Sequence, residues 1–145
     1  MSYINGPVPT PVKLMLLKTN HGSGSLSVND IIDLNTTAIY NNTTAVINSN
    51  NIVLGAGNYM IDAGLGINNS ANPVTNHLNF NITVDGVAQN SPASTIQDNK
   101  VGVDSSVCAL SIENGSTKTI KIKIVALTGT CSVEDDFSYI RVLEV

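Results

Sequence analysis

Side chains of the types that perform catalysis are few in this chain. Its 145 residues include two histidines, His21 and His77, 11 acidic residues and many serines. A serine hydrolase combines serine, histidine and a carboxylate, and the serine often stands in a Gly-x-Ser-x-Gly elbow, which this sequence lacks. His77 falls on the polar face of a predicted strand and is interpreted as a surface side chain. We therefore predict no catalytic residue and no enzymatic function.

The densest group of carboxylates is the run Glu134, Asp135 and Asp136. A glycosidase needs two carboxylates that face each other across a cleft, and adjacent residues in one loop do not provide that arrangement. We interpret the run as a solvated loop. Calcium coordination together with a backbone carbonyl is the alternative, because Ca²⁺ accepts such oxygen ligands.

Two further groups of residues have a chemical alternative that we consider weaker. Cys108 and Cys131 lie in separate predicted strands, where two buried thiols are expected and a disulfide is the alternative. Two cysteines and two distant histidines do not make a zinc site. Residues 55–57, Gly-Ala-Gly, match part of a dinucleotide-binding loop, but the third glycine and the following helix are missing, so we predict a turn. No metal and no cofactor is expected.

Composition limits the classes of partner. Hydrophobic residues make up 42% of the chain and charged residues only 12%. Uncharged polar residues, mainly asparagine, serine and threonine, must therefore supply most of the polar surface. A net charge of -4 gives no basic surface for phosphates, and no nucleic-acid partner is expected. The first residues lack the pattern of a secretory signal, and no apolar run approaches the roughly 18 residues that span a bilayer. We expect a protein made in a cytoplasm, neither secreted nor inserted into a membrane.

The N-terminal residues 1–11 carry prolines at alternate positions, Pro7, Pro9 and Pro11, with Val8 between the first two. Proline removes backbone donors and favours an extended arm that cannot be a central strand. The arm is either a frayed terminus or a docking segment that orders on a partner. Residues 12–145 are long enough for one domain with a substantial core.

The most informative stretch of the domain is residues 52–67. A short apolar run meets a glycine turn, and a strictly alternating strand follows over residues 58–67. Period-two alternation is typical of a strand with one buried face. The side chains expected on that buried face are Tyr59, Ile61, Ala63, Leu65 and Ile67.

Similar patterns predict strands along the rest of the domain. We predict strands over residues 12–19, 77–85, 100–112, 119–127 and 137–145, and shorter ones around 38–40 and 45–47. Residues 27–34 are ambiguous between a helical turn and a strand, and we favour a strand. The inward residues of two of these strands are Leu78, Phe80, Ile82, Val84, Ile120, Ile122, Ile124 and Ala126. The Asp85-Gly86 pair predicts a tight turn. The first strand is apolar on both faces, which predicts burial in the sandwich or against a neighbour. Short strands at this spacing predict an all-β, antiparallel β-sandwich.

The order of the pieces resembles the jelly roll shared by tumour necrosis factor and the globular head of the first complement component. In that family an extended segment leads to a Gly-x-Tyr strand entry, then to a strand that ends in Asn-Gly or Asp-Gly, then to a strand before a glycine turn. A strand containing phenylalanine comes last. The matching pieces are residues 52–60, 82–86, 109–115 leading to 120–122, and 136–140. They extend over residues 36–145, and they imply a TNF-like jelly roll.

The resemblance also implies a homotrimer, because this family usually assembles about an axis lined by apolar and aromatic side chains. The candidates for that axis are Tyr59, Phe137 and Tyr139, and burial within one subunit is the alternative for each. The chain departs from the family in reading Phe137-Ser138-Tyr139 where a glycine usually follows Phe or Phe-Ser, and in having only two Phe and no Trp.

A lone jelly roll of this size resembles phage virion components such as head decorations, head fibres and tail knobs. The expected function is therefore a trimeric capsid decoration or head-fibre protein of the virion, attached through the arm to the major capsid protein or another virion protein. One alternative is a tail-associated receptor-binding or lectin-like module, in which Tyr40 or Tyr3 and loop amides contact a host-surface glycan or receptor. A secreted cytokine-like ligand is a third possibility, which the missing signal disfavours.

Overall fold

The computed structural model describes residues 6–7, 11–68, 77–89, 95–96 and 102–145. Of the predicted arm, Pro7 and Pro11 are exposed, while Val8 and Pro9 lie outside the described residues. The strands are β1 Lys13–Lys18, β2 Tyr40–Asn41, β3 Val46–Ile47, β4 Ile52–Leu54, β5 Gly57–Asn68, β6 His77–Val84, β7 Val87–Ala88, β8 Thr95–Ile96, β9 Gly102–Ile112, β10 Lys118–Thr128, β11 Ser132–Val133 and β12 Tyr139–Glu144. One 3₁₀ turn, Asp135–Phe137, stands between β11 and β12.

The strands form two sheets, and every pairing between described strands is antiparallel. The first sheet has the order β9-β5-β12-β1-β2, with β11 paired to the far end of β5. The second sheet has the order β3-β4-β10-β6-β7, with β8 paired to the start of β6. Among the described strands the chain changes sheet six times: between β2 and β3, β4 and β5, β5 and β6, β8 and β9, β9 and β10, and β10 and β11. This crossing pattern makes the sandwich a jelly roll, as predicted.

The core lies between the sheets and is built by alternation. All five predicted inward residues of β5 are at most 3% exposed, and the four of β6 are at most 7% exposed. Branched aliphatic side chains fill most of the space, and Phe80 is the largest of the described side chains that are less than 2% exposed. Successive side chains of a strand point to opposite faces of the sheet. The residues between these core positions therefore lie on the side of each sheet that faces away from the other sheet.

The β6–β7 hairpin confirms the predicted turn. Asp85 and Gly86 have φ angles of 50° and 82°, so both are in the left-handed region that a type I′ turn requires. The Asp85 carboxylate accepts hydrogen bonds from the Thr119 backbone N–H and from Lys118 Nζ, each at 2.9 Å. These bonds tie the turn to the beginning of β10.

One predicted core position is wrong. The register of β10 against β6 shifts between Ile124 and Ala126, where β10 carries one extra residue. A bulge of this kind reverses the alternation beyond it. Ala126 is only half-buried as a result, and Leu127 packs against the core instead.

Residues 27–34 form neither the predicted strand nor a helical turn. Their only β-structure is a pair of isolated bridges, one of them between Ile31 and Lys123. Asn29 has a φ angle of 74°, which interrupts extended backbone. The segment still runs beside β10, where the Ile32 N–H donates to the Ile122 carbonyl at 3.0 Å. No helix in the described part of the chain is long and apolar enough to cross a membrane.

Candidate functional site

The surface of the first sheet that points away from the core has the composition of an interaction site. We call it the outward face. It carries the side chains of alternate residues of β1, β12, β5 and β9, which are Leu14, Leu16, Lys18, Tyr139, Arg141, Leu143, Met60, Asp62, Val107 and Ala109, with Gly64 and Gly66 at two further positions.

Strand register arranges these side chains in rows across the sheet. One row is entirely apolar and consists of Leu14, Leu143, Met60 and Ala109. Met60 is 40% exposed, so an unbranched apolar side chain stands partly in solvent at the middle of this row. A contiguous apolar surface of this type usually marks a contact site.

The next row has an ion pair at its centre, between Leu16 and Val107. Arg141 and Asp62 are directly opposite each other on β12 and β5. The guanidinium donates through Nε to Oδ1 at 2.8 Å and through Nη2 to Oδ2 at 3.0 Å, which is the bidentate geometry. Hydrogen bonding to Asp62, together with its negative charge, raises the pKa of Arg141.

Two aromatic residues cover the glycines at the other end of the face. A Cβ atom placed on Gly64 would lie 2.5 Å from Cε1 of Tyr139, and one placed on Gly66 would lie 2.7 Å from Cβ of Phe137. The glycines therefore leave the space that the Tyr139 ring and the Phe137 side chain occupy. Ser138, which is buried between these residues, accepts a hydrogen bond from the Gly66 N–H at 2.8 Å.

The structure separates the three predicted axis residues. Tyr139 lies on the outward face, and Phe137 lies at its end with 56% of its surface exposed. Tyr59 is in the core at 3% exposure, and its hydroxyl donates to the Gly55 carbonyl at 3.0 Å. A role for Phe137 or Tyr139 in a trimer stays a prediction, and the geometry gives Tyr59 a place inside one subunit.

Sequence reasoning did not identify most of the outward face. The available signal was the first strand, whose two apolar faces predicted burial in the sandwich or against a neighbour. Met15 and Leu17 are buried in the core, while Leu14 and Leu16 lie on the outward face. The ion pair gave no local signal, because Asp62 and Arg141 are 79 positions apart in sequence.

The acidic run is partly structural rather than wholly solvated. The Asp135 carboxylate accepts hydrogen bonds from the Thr19 hydroxyl, from the His21 N–H at 2.9 Å and from the Gly22 N–H at 2.8 Å. Burial alone raises the pKa of Asp135, but these hydrogen bonds offset that effect and the net pKa is lowered. Among the described residues, no three His, Cys, Asp or Glu side chains are grouped to hold a metal ion.

The remaining candidate side chains have structural surroundings. Cys108 and Cys131 are both buried free thiols, as predicted, and burial raises the pKa of each. His21 Nδ1 accepts the backbone N–H of Asp33 at 3.1 Å. His77 is at the start of β6.

The fold has clear relatives among solved structures. No protein-family model matches the chain, and no curated protein is similar to it in sequence. The crystal structure of murine APRIL at pH 8.0 superposes with a TM-score of 0.62 and 9% identity, over 93% of this chain and 100% of that one. The Eiger TNF of S. frugiperda superposes with a TM-score of 0.63 and 14% identity, over 94% of each chain. The chain therefore has the TNF-like jelly-roll fold that the order of its sequence pieces predicted.

Proposed function

We propose that this chain is a non-enzymatic structural protein that assembles as a homotrimer through its outward face and serves as a capsid decoration or head-fibre protein of a phage virion. The observation that carries the proposal is the exposed apolar row of Leu14, Leu143, Met60 and Ala109. Apolar area removed from water by association stabilises a complex by roughly 25 cal/mol per Å² before the costs of association.

The charges of the face favour a second and third copy of the same chain as occupants. Asp62 and Arg141 neutralise each other, and Lys18 Nζ is bound to the Asp136 carbonyl at 3.3 Å. A face without a dominant charge meets its own copies without strong repulsion, whereas a highly charged partner gains little from it.

The virion role accounts for the rest of the molecule. Pro7 and Pro11 are exposed ahead of β1. The arm predicted from the alternating prolines is the segment that we propose docks to the major capsid protein or another virion protein. Three linked arms rebind at high effective concentration, so weak single contacts give firm attachment. Because the charge content is low, we expect little of the stability to rest on salt-sensitive ion pairs, which suits a particle exposed to changing media.

The first experiment measures the oligomeric state. Light scattering of the purified chain after size exclusion is expected to give the mass of three copies. Met60→Glu places a charge in the apolar row and is expected to give monomers, while Val87→Glu, at a 64% exposed position on the second sheet, leaves the mass unchanged. A wild-type monomer at working concentration contradicts the proposal.

Attachment is tested separately with the arm removed. Capsids assembled from the major capsid protein encoded nearest to this gene are sedimented with the full chain and with a variant that lacks residues 1–11. The full chain is expected to sediment with capsids and the truncated chain to stay in solution as a trimer. Equal sedimentation of both chains contradicts docking through the arm.

A tail-associated receptor-binding or lectin-like module is the second candidate, favoured by the 51% exposed ring of Tyr40 beside an asparagine-rich loop. The neighbouring amide of Asn42 is already used, since Oδ1 accepts the Leu14 N–H at 2.6 Å and Nδ2 donates to the Val12 carbonyl at 2.9 Å. A glycan array with and without calcium separates the candidates: binding that Tyr40→Ala abolishes favours the lectin-like module, and absence of binding favours the capsid role.

A further inference from the structure

We infer that the Asp62–Arg141 ion pair fixes the register and the number of copies in the assembly, with the free N–H groups of Arg141 donating to oxygen atoms of the neighbouring copy. The inference rests on the proposed self-association and names the residues that make it specific.

The position of the pair is the first reason. It lies between Leu16 and Val107 in its own row, with the apolar row on one side and Tyr139 on the other. The two rows are neighbours, so a contact that extends over both covers the pair. The pair is thus a charged group directly beside the apolar row, and in the proposed assembly it becomes buried when the copies associate.

The two partners of the pair differ in how far their hydrogen-bonding capacity is used. Both oxygens of Asp62 accept from Arg141, and the Asp62 side chain is only 16% exposed. The Arg141 side chain is 53% exposed, and Nε and Nη2 account for two of its five N–H donors. The described residues accept none of the others.

Those donors require acceptors once the face is covered. A buried N–H of a charged group without a partner costs more free energy than the same group in water. Half of the Arg141 side chain is exposed and the described residues accept none of these donors, so we assign their acceptors in the proposed assembly to a carbonyl or carboxylate oxygen of the next copy. Hydrogen bonds are directional, whereas apolar contacts tolerate sliding and rotation.

The apolar row and the ion pair therefore have different roles in the outward face. The apolar row supplies most of the association free energy, and the ion pair admits the single arrangement that satisfies Arg141. A polar residue within an apolar interface is known to select register and oligomer state in this way, at a cost in affinity.

The test compares three variants with wild type by native mass spectrometry and by light scattering across a dilution series. Asp62→Leu leaves Arg141 unpaired and is expected to weaken association by at least about tenfold. Arg141→Lys keeps the positive charge but loses the bidentate geometry of the guanidinium. This variant is also expected to weaken association. The double variant Asp62→Leu/Arg141→Met is expected to associate as strongly as wild type but into more than one stoichiometry. Circular dichroism verifies that each variant keeps its β structure.

The control is a second ion pair among the described residues, Lys118 with Asp85 at 2.9 Å on the second sheet. Asp85→Asn/Lys118→Met is expected to leave the mass distribution unchanged. A double variant Asp62→Leu/Arg141→Met that forms a single trimeric species, like wild type, overturns the inference and leaves the proposed function standing. A wild-type chain that stays monomeric overturns both.

Discussion

The ring of Tyr139 packs against the backbone of Gly64, so closely that a Cβ atom at residue 64 would lie 2.5 Å from Cε1 of the ring. The two residues are register partners on β12 and β5. Because Gly64 on β5 has no side chain, the ring of Tyr139 on β12 occupies the space above it. Side chains of directly opposite residues are expected to meet in this way. The ring then contributes to the outward face beside the ion pair.

Gly64→Ala is expected to lower the free energy of unfolding by about 1–3 kcal/mol, because the methyl group forces the Tyr139 ring out of its position. Urea denaturation measures the change. Gly24→Ala, where nothing lies within 4 Å of the added Cβ, is the matched control and is expected to have little effect.

A double variant identifies the cause. Gly64→Ala is expected to cost less free energy in a Tyr139→Ala background, because the clash is gone. An unchanged cost of Gly64→Ala in that background contradicts the packing relationship.

Asp135→Asn is expected to destabilise the fold by about 1–3 kcal/mol near neutral pH, because the amide replaces a carboxylate that accepts three hydrogen bonds. The comparison is made with Asp136→Asn, at the exposed neighbour. Urea midpoints at neutral pH measure both, and equal midpoints for Asp135→Asn and wild type contradict the anchoring role.

The same carboxylate predicts a sensitivity to acid. The pKa of Asp135 in the folded chain lies below its ordinary value of about 3.9, so its contribution to stability is present above about pH 4. It is lost as the pH falls through the lower, folded pKa. The free energy of unfolding is measured from neutral pH down to below about pH 4. It is expected to fall less steeply for Asp135→Asn than for wild type, and parallel profiles contradict the prediction.

The two thiols are expected to resist modification while the chain is folded. Burial raises the pKa of Cys108 and of Cys131, so little of either is present as the reactive thiolate. Titration with Ellman's reagent is expected to be slow for the native chain and complete for both thiols in denaturant. Rapid reaction of one native thiol contradicts the burial of that residue.

Tyr59→Phe and Phe137→Ser are expected to act on different equilibria. Tyr59→Phe removes the hydrogen bond to the Gly55 carbonyl and is expected to cost about 1 kcal/mol of folding stability, with no change in assembled mass.

Phe137→Ser alters a side chain that is 56% exposed, and is expected to weaken association while leaving the unfolding of the monomer nearly unchanged. Loss of the trimer in Tyr59→Phe would contradict its placement inside one subunit.

Local patterns in the sequence predicted much of the fold. The alternation in β5 and β6 identified nine core residues correctly, because a strand has a period of two wherever it lies in a sheet. The same rule failed after Ile124 in β10, since a single extra residue reverses the faces and leaves no mark in the composition of the strand. Residues 27–34 have the apolar content of a strand, but the positive φ angle of Asn29 and their place beside β10 limit them to isolated bridges.

By itself, the sequence determined the long alternating strands and the Asp85-Gly86 turn, because each depends on residues close together in the chain, and the order of these pieces carried the resemblance to the jelly roll. The tertiary structure alone decided which of the remaining side chains share the outward face. Asp62 reaches Arg141, and Gly64 receives the ring of Tyr139, only through the register of β5 against β12, two strands that are distant in sequence. Register depends on how the whole sandwich closes over its core, so no window of the sequence contains it.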